Sequence, residues 1–360
     1  MLRYACKTAR AAIDPNVLVL VFRTATYPMP YADVGTRWPN ARRLVCDTRR
    51  FNLLSRLPPR LQELELVDHM ILTPQWPLRL LLDSVATSLQ HLKFIYYLVD
   101  ADRAPYLGAC LRSVLPALRG LRRLSLDCYS CYGDTWLQHM APALSQLTLL
   151  TELRLMSVRD PFYDRQGPGE PCGRALSCLA SLTRLEVLVL DTPILAVGVQ
   201  AVASALGRLT APRDLAVVRA QLSSDSYAAL APALANLPTL DRLNLGHSAL
   251  SSAIAHLPRM PWLHMLNISG NSLQGEGRHV ASALLRVPAL TELILDDGAT
   301  SDDLHCIADA LPRLPRLQAL HWSACRGSGV LPGVLAVHLG CLTALKRLNL
   351  AWGPAWRPAQ

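Results

Sequence analysis

One spacing constrains this chain more than any other: Leu237-x-x-Leu240-x-x-Leu243-x-Leu245. It returns as Met260, Leu263, Leu266, Ile268, as Val287, Leu290, Leu293, Leu295, and as Leu314, Leu317, Leu320, Trp322. Leu342, Leu345, Leu348 and Leu350 close the series. Upstream copies open at Leu118, Leu147 and Leu182, and weaker ones centre on Leu44, Leu64, Leu92 and Leu215. The residues that begin each L-x-L pair stand at 44, 64, 92, 124, 153, 188, 215, 243, 266, 293, 320 and 348, a mean period near 28.

In L-x-L the two leucines share one face of a strand, while the residues beside them point the other way. One repeat cannot bury its own leucines. Stacked neighbours can, at about 1.5–3 kcal/mol for each buried side chain of that size, so strands side by side make one continuous core. The period also leaves room for a return helix. Leu304, Ile307, Ala308 and Leu311 fall at helical spacing, and Ser301-Asp302-Asp303 ahead of them can cap that helix. Val199, Val202, Ala203, Leu206 and Leu137, Met140, Ala141, Leu144 repeat the spacing.

The segment Leu266-x-Ile268-x-x-Asn271-x-Leu273 resembles the core consensus of the leucine-rich repeat family. The long period with an outer helix is similar to that family's ribonuclease-inhibitor-like class. The resemblance implies an α/β fold: a leucine-rich repeat solenoid, a horseshoe with a parallel concave β-sheet and outer helices. Residues 38–352 form the repeat domain of about 12 repeats, 1–37 an N-terminal helix and capping segment, and 353–360 a C-terminal tail. Two departures stand out. The family's Asn or Cys after the strand survives clearly only at Asn271 and Cys325, and Pro142 and Pro232 fall inside outer helices, which should shorten or kink them.

The interval from Leu153 to Leu188 is 35, and its surplus is a Pro- and Gly-rich loop at 159–173. Phe162, Tyr163 and Arg165 make it a candidate contact loop, or else a tolerated insertion. The interval from 44 to 64 is only 20, too short for a full outer helix. Leu2-Arg3-Tyr4-Ala5-Cys6-Lys7, continuing to Asp14, is similar to the last helix of an F-box, although the Leu-Pro half of that motif is missing. An ordinary capping helix is the alternative. The C-terminal Trp352 and Trp356 either cover the leucine face of the last unit or the chain is a fragment.

Composition agrees with one apolar-rich body: 51% of residues are hydrophobic and 18% charged, with mean hydropathy +0.21. That excludes disorder, and no run of eighteen apolar residues offers a membrane span. Ten irregularly spaced cysteines are too sparse for a disulfide scaffold and fit a reducing, cytoplasmic setting. The basic residues before Asp14 do not make a targeting peptide, because Asp14 and Pro15 interrupt ahead of the short apolar run.

The usual chemistry-bearing motifs are missing. No phosphate-binding glycine loop and no H-E-x-x-H occurs. Gly246-His-Ser-Ala-Leu250 imitates a nucleophile elbow until its last position, and reads as a post-strand turn. Cys128-Tyr-Ser-Cys131 has metal-ligand spacing without a second pair at a suitable distance, though stacking could bring Cys110 and His139 near. Cys306 of His305-Cys306 lies near an apolar helical stripe and reads as a core thiol. The sequon Asn267-Ile-Ser269 has meaning only in a secreted chain. No enzyme activity, cofactor or metal is expected.

With the register set, the residues flanking each L-x-L pair should line the sheet's inner surface and its rim. Over 48 such positions eleven acids and seven bases net −4, so the rest of the chain carries +13 to make the total of +9. The overall basicity is therefore no argument for nucleic acid, which needs its cations on the binding face. The candidate partner-binding residues are Glu63, Glu65, Lys93, Arg123, Asp127, Glu152, Arg154, Asp191, Arg242, Asn244, His247, Asn267, Glu292, Asp296, Asp297 and His321. Acidic ends around Glu63, Glu65 and around Glu292, Asp296, Asp297 suit a protein partner with basic patches, or simply keep an exposed sheet soluble.

The expected function is a non-enzymatic scaffold or receptor that binds a protein partner on the concave face, with no nucleic acid, membrane or small-molecule substrate involved. The F-box likeness implies an alternative, the substrate-recognition subunit of an SCF-type ubiquitin ligase. The ribonuclease-inhibitor likeness implies another, regulation of an enzyme or small GTPase. Proteins that look like this one are often placed with the ciliary axoneme, an alternative to the cytoplasm.

Overall fold

The computed structural model describes residues 17–22, 34–47, 54, 56–68, 82–97, 104–129, 135–158, 175–191, 196–220, 222–271, 273–296, 301–324 and 337–352. The chain divides into two compact units, Met1–Leu185 and Glu186–Gln360. In the first, β1 (Val19–Phe22), β2 (Arg43–Asp47), β3 (Glu63–Asp68), β4 (His91–Tyr97), β5 (Arg123–Tyr129) and β6 (Glu152–Val158) lie in sequence order, each parallel to the next. In the second, β7 (Val187–Asp191), β8 (Asp214–Val218), β9 (Arg242–Asn244), β10 (Met265–Asn267), β11 (Glu292–Asp296), β12 (Ala319–Ala324) and β13 (Arg347–Trp352) do the same.

The leucine spacing has two physical parts. Before each strand the chain makes successive turns in which an amide bonds the carbonyl three residues back, as in Leu118 N to Leu115 O and Leu121 N to Leu118 O, both 3.0 Å. A period of three residues per turn brings Leu115, Leu118 and Leu121 to one side. The period then changes to two in the strand, and Leu124 and Leu126 join them inside. The same bonds recur at Leu147 and Leu150, at Leu182 and Leu185, and at Leu314 and Leu317.

Neighbouring repeats are latched at the strand entrance. The carbonyl of Gln62 accepts both Gln90 N and His91 N at 2.9 Å. Gln90 O does so for Arg122 N and Arg123 N, and Arg122 O for Thr151 N and Glu152 N. In the second unit Arg213, Asp241, His264, Thr291 and Gln318 repeat the device. Within each unit every strand-opening leucine therefore pairs with the next one, as Leu64 with Leu92 and Leu92 with Leu124. A one-residue slip would expose all of them.

Helices fill the intervals. The first unit carries α1 (Val34–Arg37), α2 (Ala104–Val114) and α3 (Thr135–Leu144). The second carries α4 (Ala196–Leu206), α5 (Ser224–Ala235), α6 (Gly277–Leu284) and α7 (Ser301–Ala310). Successive helices pack on each other, α2 on α3, α4 on α5 and α6 on α7. Leu176–Ser181 and Ser251–His256 are 3₁₀ helices in place of longer outer ones. Each unit is thus an α/β stack of leucine-rich repeats, with a parallel sheet and its interleaved helices.

The sheet includes residues before 38: Leu20 of β1 pairs with Leu44, and Leu20 is buried. Pro142 and Pro232 fall inside α3 and α5, which continue past them for two and three residues. Both prolines and the residues four before them, Gln138 and Ala228, are exposed, so water can serve the carbonyls left without a donor. Asp303 does not act as a cap of its own helix alone. It is buried, and its two carboxylate oxygens accept Gly275 N at 2.9 Å and Gly277 N at 2.8 Å, at the N-terminus of the neighbouring α6. The segment 2–14, the loop with Phe162, Tyr163 and Arg165, and the tail 353–360 lie outside the described residues.

Candidate functional site

Strand alternation puts every second residue of a strand on the face opposite the leucines. In the first unit this open face has three rows. The outer row runs Arg43, Glu63, His91, Arg123, Glu152, each residue in register with the next. The middle row runs Val45, Glu65, Lys93, Ser125, Arg154, and the inner row Asp47, Val67, Ile95, Asp127, Met156. Leu64, Leu66, Leu92 and Phe94 between them are buried, whereas of the described residues in these rows Val45 and Asp127 alone are buried.

Cross-strand neighbours stand close enough for their charges to pair. Arg43 meets Glu63 at 3.6 Å and Glu65 at 3.4 Å. His91 Nδ1 lies 3.1 Å from Glu63, and Lys93 Nζ 3.2 Å from Asp127. Asp127 also accepts the Ser125 hydroxyl at 2.8 Å. Glu152 is shared by Arg154 at 2.5 Å and Arg123 at 3.7 Å. Together they surround a depression of about 270 Å³ lined by four cations, Arg43, Lys93, Arg123 and Arg154, and three carboxylates, Glu63, Glu65 and Glu152.

The structure thus brings together Glu63, Glu65, Lys93, Arg123, Glu152 and Arg154 of the sequence-derived candidates, with Asp127 under Lys93. It changes their meaning. The side chains of Arg123 and Arg43 are 58% and 48% exposed, against 24% for Glu152 and 21% for Glu65. Glu63, at 42%, is as exposed as Lys93 and Arg154, so this end of the face is mixed rather than acidic, with Arg43 and Arg123 as its most exposed charges. Arg43 and His91 complete the depression without having been among the chosen candidates. Both occupy the position before a strand-opening leucine, the position that Glu63, Arg123 and Glu152 hold on their own strands.

The second unit holds a smaller group. Arg242 and His321 approach Glu292 from either side, both at 3.8 Å, with Arg242 on β9 and His321 on β12. Asn244 and Asn267 share a row on this face, yet their side-chain oxygens accept Gly246 N and Ser269 N at 2.9 Å and so close the turns after β9 and β10. Asp191 accepts Arg219 Nε at 2.6 Å. Arg219 (φ 59°), His247 (φ 54°) and Gly270 (φ 64°) occupy the same position in three successive repeats, each left-handed. Asp296 ends β11, and its side chain and Asp297 lie outside the described residues.

Elsewhere, Cys128 is buried on the leucine face, and Cys131 lies outside the described residues. Ser248 of the elbow-like segment is buried and bonds Val217 O at 2.9 Å and Gly246 O at 3.0 Å, a structural duty that the sequence reading passed over. Among the described residues no group of three His, Cys, Asp or Glu is placed to hold a metal ion, and no helix is long and apolar enough to cross a membrane.

No family model matches the chain, and no curated protein matches it. It is similar in structure to the leucine-rich repeat-containing protein LegL7 from Legionella pneumophila, at 14% identity and a TM-score of 0.44, covering 82% of this chain and 85% of that one. It is also similar to the tropomodulin C-terminal domain from Caenorhabditis elegans, at 16% identity and a TM-score of 0.33, covering 40% of this chain and 92% of that one.

Proposed function

We propose that this chain is a non-enzymatic scaffold that captures a protein partner on the open face of its sheet. One observation carries the reading: in the first unit, two rows of ionisable and polar side chains run in register over neighbouring strands, and the core needs none of them. A rigid sheet that holds side chains at fixed intervals offers area for many small contacts, which is what a protein partner requires. The ten irregularly spaced cysteines, too sparse for a disulfide scaffold, support a reducing, cytoplasmic setting.

Photo-crosslinking in cells tests this. A photoreactive residue at Lys93 or Ile95, on the open face, should capture a protein that the same residue at Arg112 or Ala228, exposed on α2 and α5, does not. Equal capture from both sets of positions would contradict the reading.

A further inference from the structure

We infer that the depression over β2–β6 is a receptor site for an acidic peptide segment of the partner, with apolar residues between its carboxylates. This rests on the protein-binding reading above and adds the chemistry of what is bound.

In each Arg–carboxylate and Lys–carboxylate pair of the depression, the cation is the more exposed member. The more buried Glu65 and Glu152 orient the guanidinium groups, while donors remain over for a ligand. Arg123 is the clearest case: its ion pair with Glu152, at 3.7 Å, is longer than a hydrogen bond. Arg123 and Arg43, the most exposed of these charges, are the first that a carboxylate arriving from solvent meets.

Two features favour a peptide over a phosphate polymer. Glu63, Glu65 and Glu152 stand between the cations, so a continuous line of phosphates would meet repulsion at every second step. No Phe, Tyr or Trp lines the depression to stack a base. Beside the charged rows, half-buried Val67 and Ile95 are adjacent in register, with Met156 beyond Asp127, and give apolar surface that suits side chains between the acids. The spacing is compatible as well. Arg43 and Arg123 are three strands apart, about 14 Å, which an extended peptide covers in about four residues.

The test uses the full chain and a labelled synthetic peptide with glutamate at every fourth position and leucine and serine between, beside a counterpart with lysine for glutamate. Anisotropy titrations should show binding of the acidic peptide, weakening as salt is raised, and none of the lysine peptide. Arg43→Gln with Arg123→Gln should weaken it about tenfold or more. Both residues are exposed, so an unchanged melting curve will show that folding is intact, and Arg112→Gln on the exposed side of α2 serves as a variant that should leave binding unchanged.

Equal binding of both peptides, binding indifferent to the double variant, or no binding would overturn the inference. So would a single-stranded oligonucleotide or an anionic vesicle that binds more tightly than the peptide. In each of those cases capture from Lys93 and Ile95 can still succeed, which separates failure of this inference from failure of the scaffold reading.

Discussion

Asn271 and Ser248 are joined across one repeat: the side-chain oxygen of Asn271 accepts the Ser248 amide at 2.8 Å. The same oxygen accepts Leu250 N at 3.1 Å, and the Asn271 amide donates to Leu245 O at 2.9 Å and Ile268 O at 2.8 Å. Both residues are buried, at 1% and 0% exposure. One side chain thus serves backbone groups that the turn after β9 leaves inside the core. Ser248 does the same for the repeat before it, accepting Ala220 N at 3.2 Å and donating to Val217 O.

Replacing Asn271 by Leu leaves those buried groups unserved, and we expect a loss of about 2–4 kcal/mol. Ser248→Ala removes fewer bonds and should cost about 1–2 kcal/mol. Urea unfolding measures both. Asn271→Asp is expected to fail as well, because a carboxylate cannot donate to Leu245 O and Ile268 O.

Close approach of successive helices gives a second prediction. A Cβ at Gly277 of α6 would lie 2.3 Å from Asp303 Cα, and one at Gly108 of α2 would lie 2.3 Å from Trp136 O. Backbone cannot yield locally there, so each Gly→Ala variant should destabilise by about 1–3 kcal/mol. At Gly120 the nearest atom would be 3.5 Å away, and alanine there should be tolerated. Thermal melting compares the three.

Asp303→Ala removes the carboxylate that holds Gly275 N and Gly277 N, and should fray the start of α6. Amide exchange is the readout. Faster exchange at Gly277 in the variant, with β7 and β8 unchanged, is the expected result; unchanged exchange at Gly277 would show that the latch is dispensable.

Burial alone raises the Cys110 thiol to about 11, and burial, partly opposed by a backbone hydrogen bond, raises the Cys178 thiol to about 12. Both therefore hold their protons more tightly folded than unfolded. Their contribution to stability is complete below about pH 9, the ordinary thiol value, and is lost as the pH rises through 11 and 12. Denaturation midpoints should stay level up to about pH 9 and then fall, and Cys110→Ala with Cys178→Ala should make that fall shallower.

Much of this was legible in the leucines. Their change of period from three to two marks where turn becomes strand, and each strand-opening residue from Leu44 to Leu348 lies in a strand. The register of the open face follows from the same alternation, which is why Glu65, Asn244 and Ile294 are not buried while Leu64, Leu243 and Leu293 are. Val19–Phe22 was missed because it carries no L-x-L pair, and only its pairing with β2 reveals it. The electrostatics of the depression were not legible either. Counting acids against bases treats charges as equally exposed, whereas Glu65, Glu152 and Asp127 are far less exposed than Arg43 and Arg123. Asp303 shows the same limit, since a carboxylate that caps a helix one repeat away has no local signature.

The central claim is that in the first unit the residues between buried leucines form an open face, and single-cysteine alkylation along β4 tests it most directly. Cysteine placed at His91, Lys93 and Ile95 should react with a maleimide quickly, and at Leu92 and Phe94 slowly, as read by mass spectrometry of the labelled peptides. Reaction that fails to alternate along His91–Tyr97, or that is fastest at Leu92 and Phe94, would contradict it.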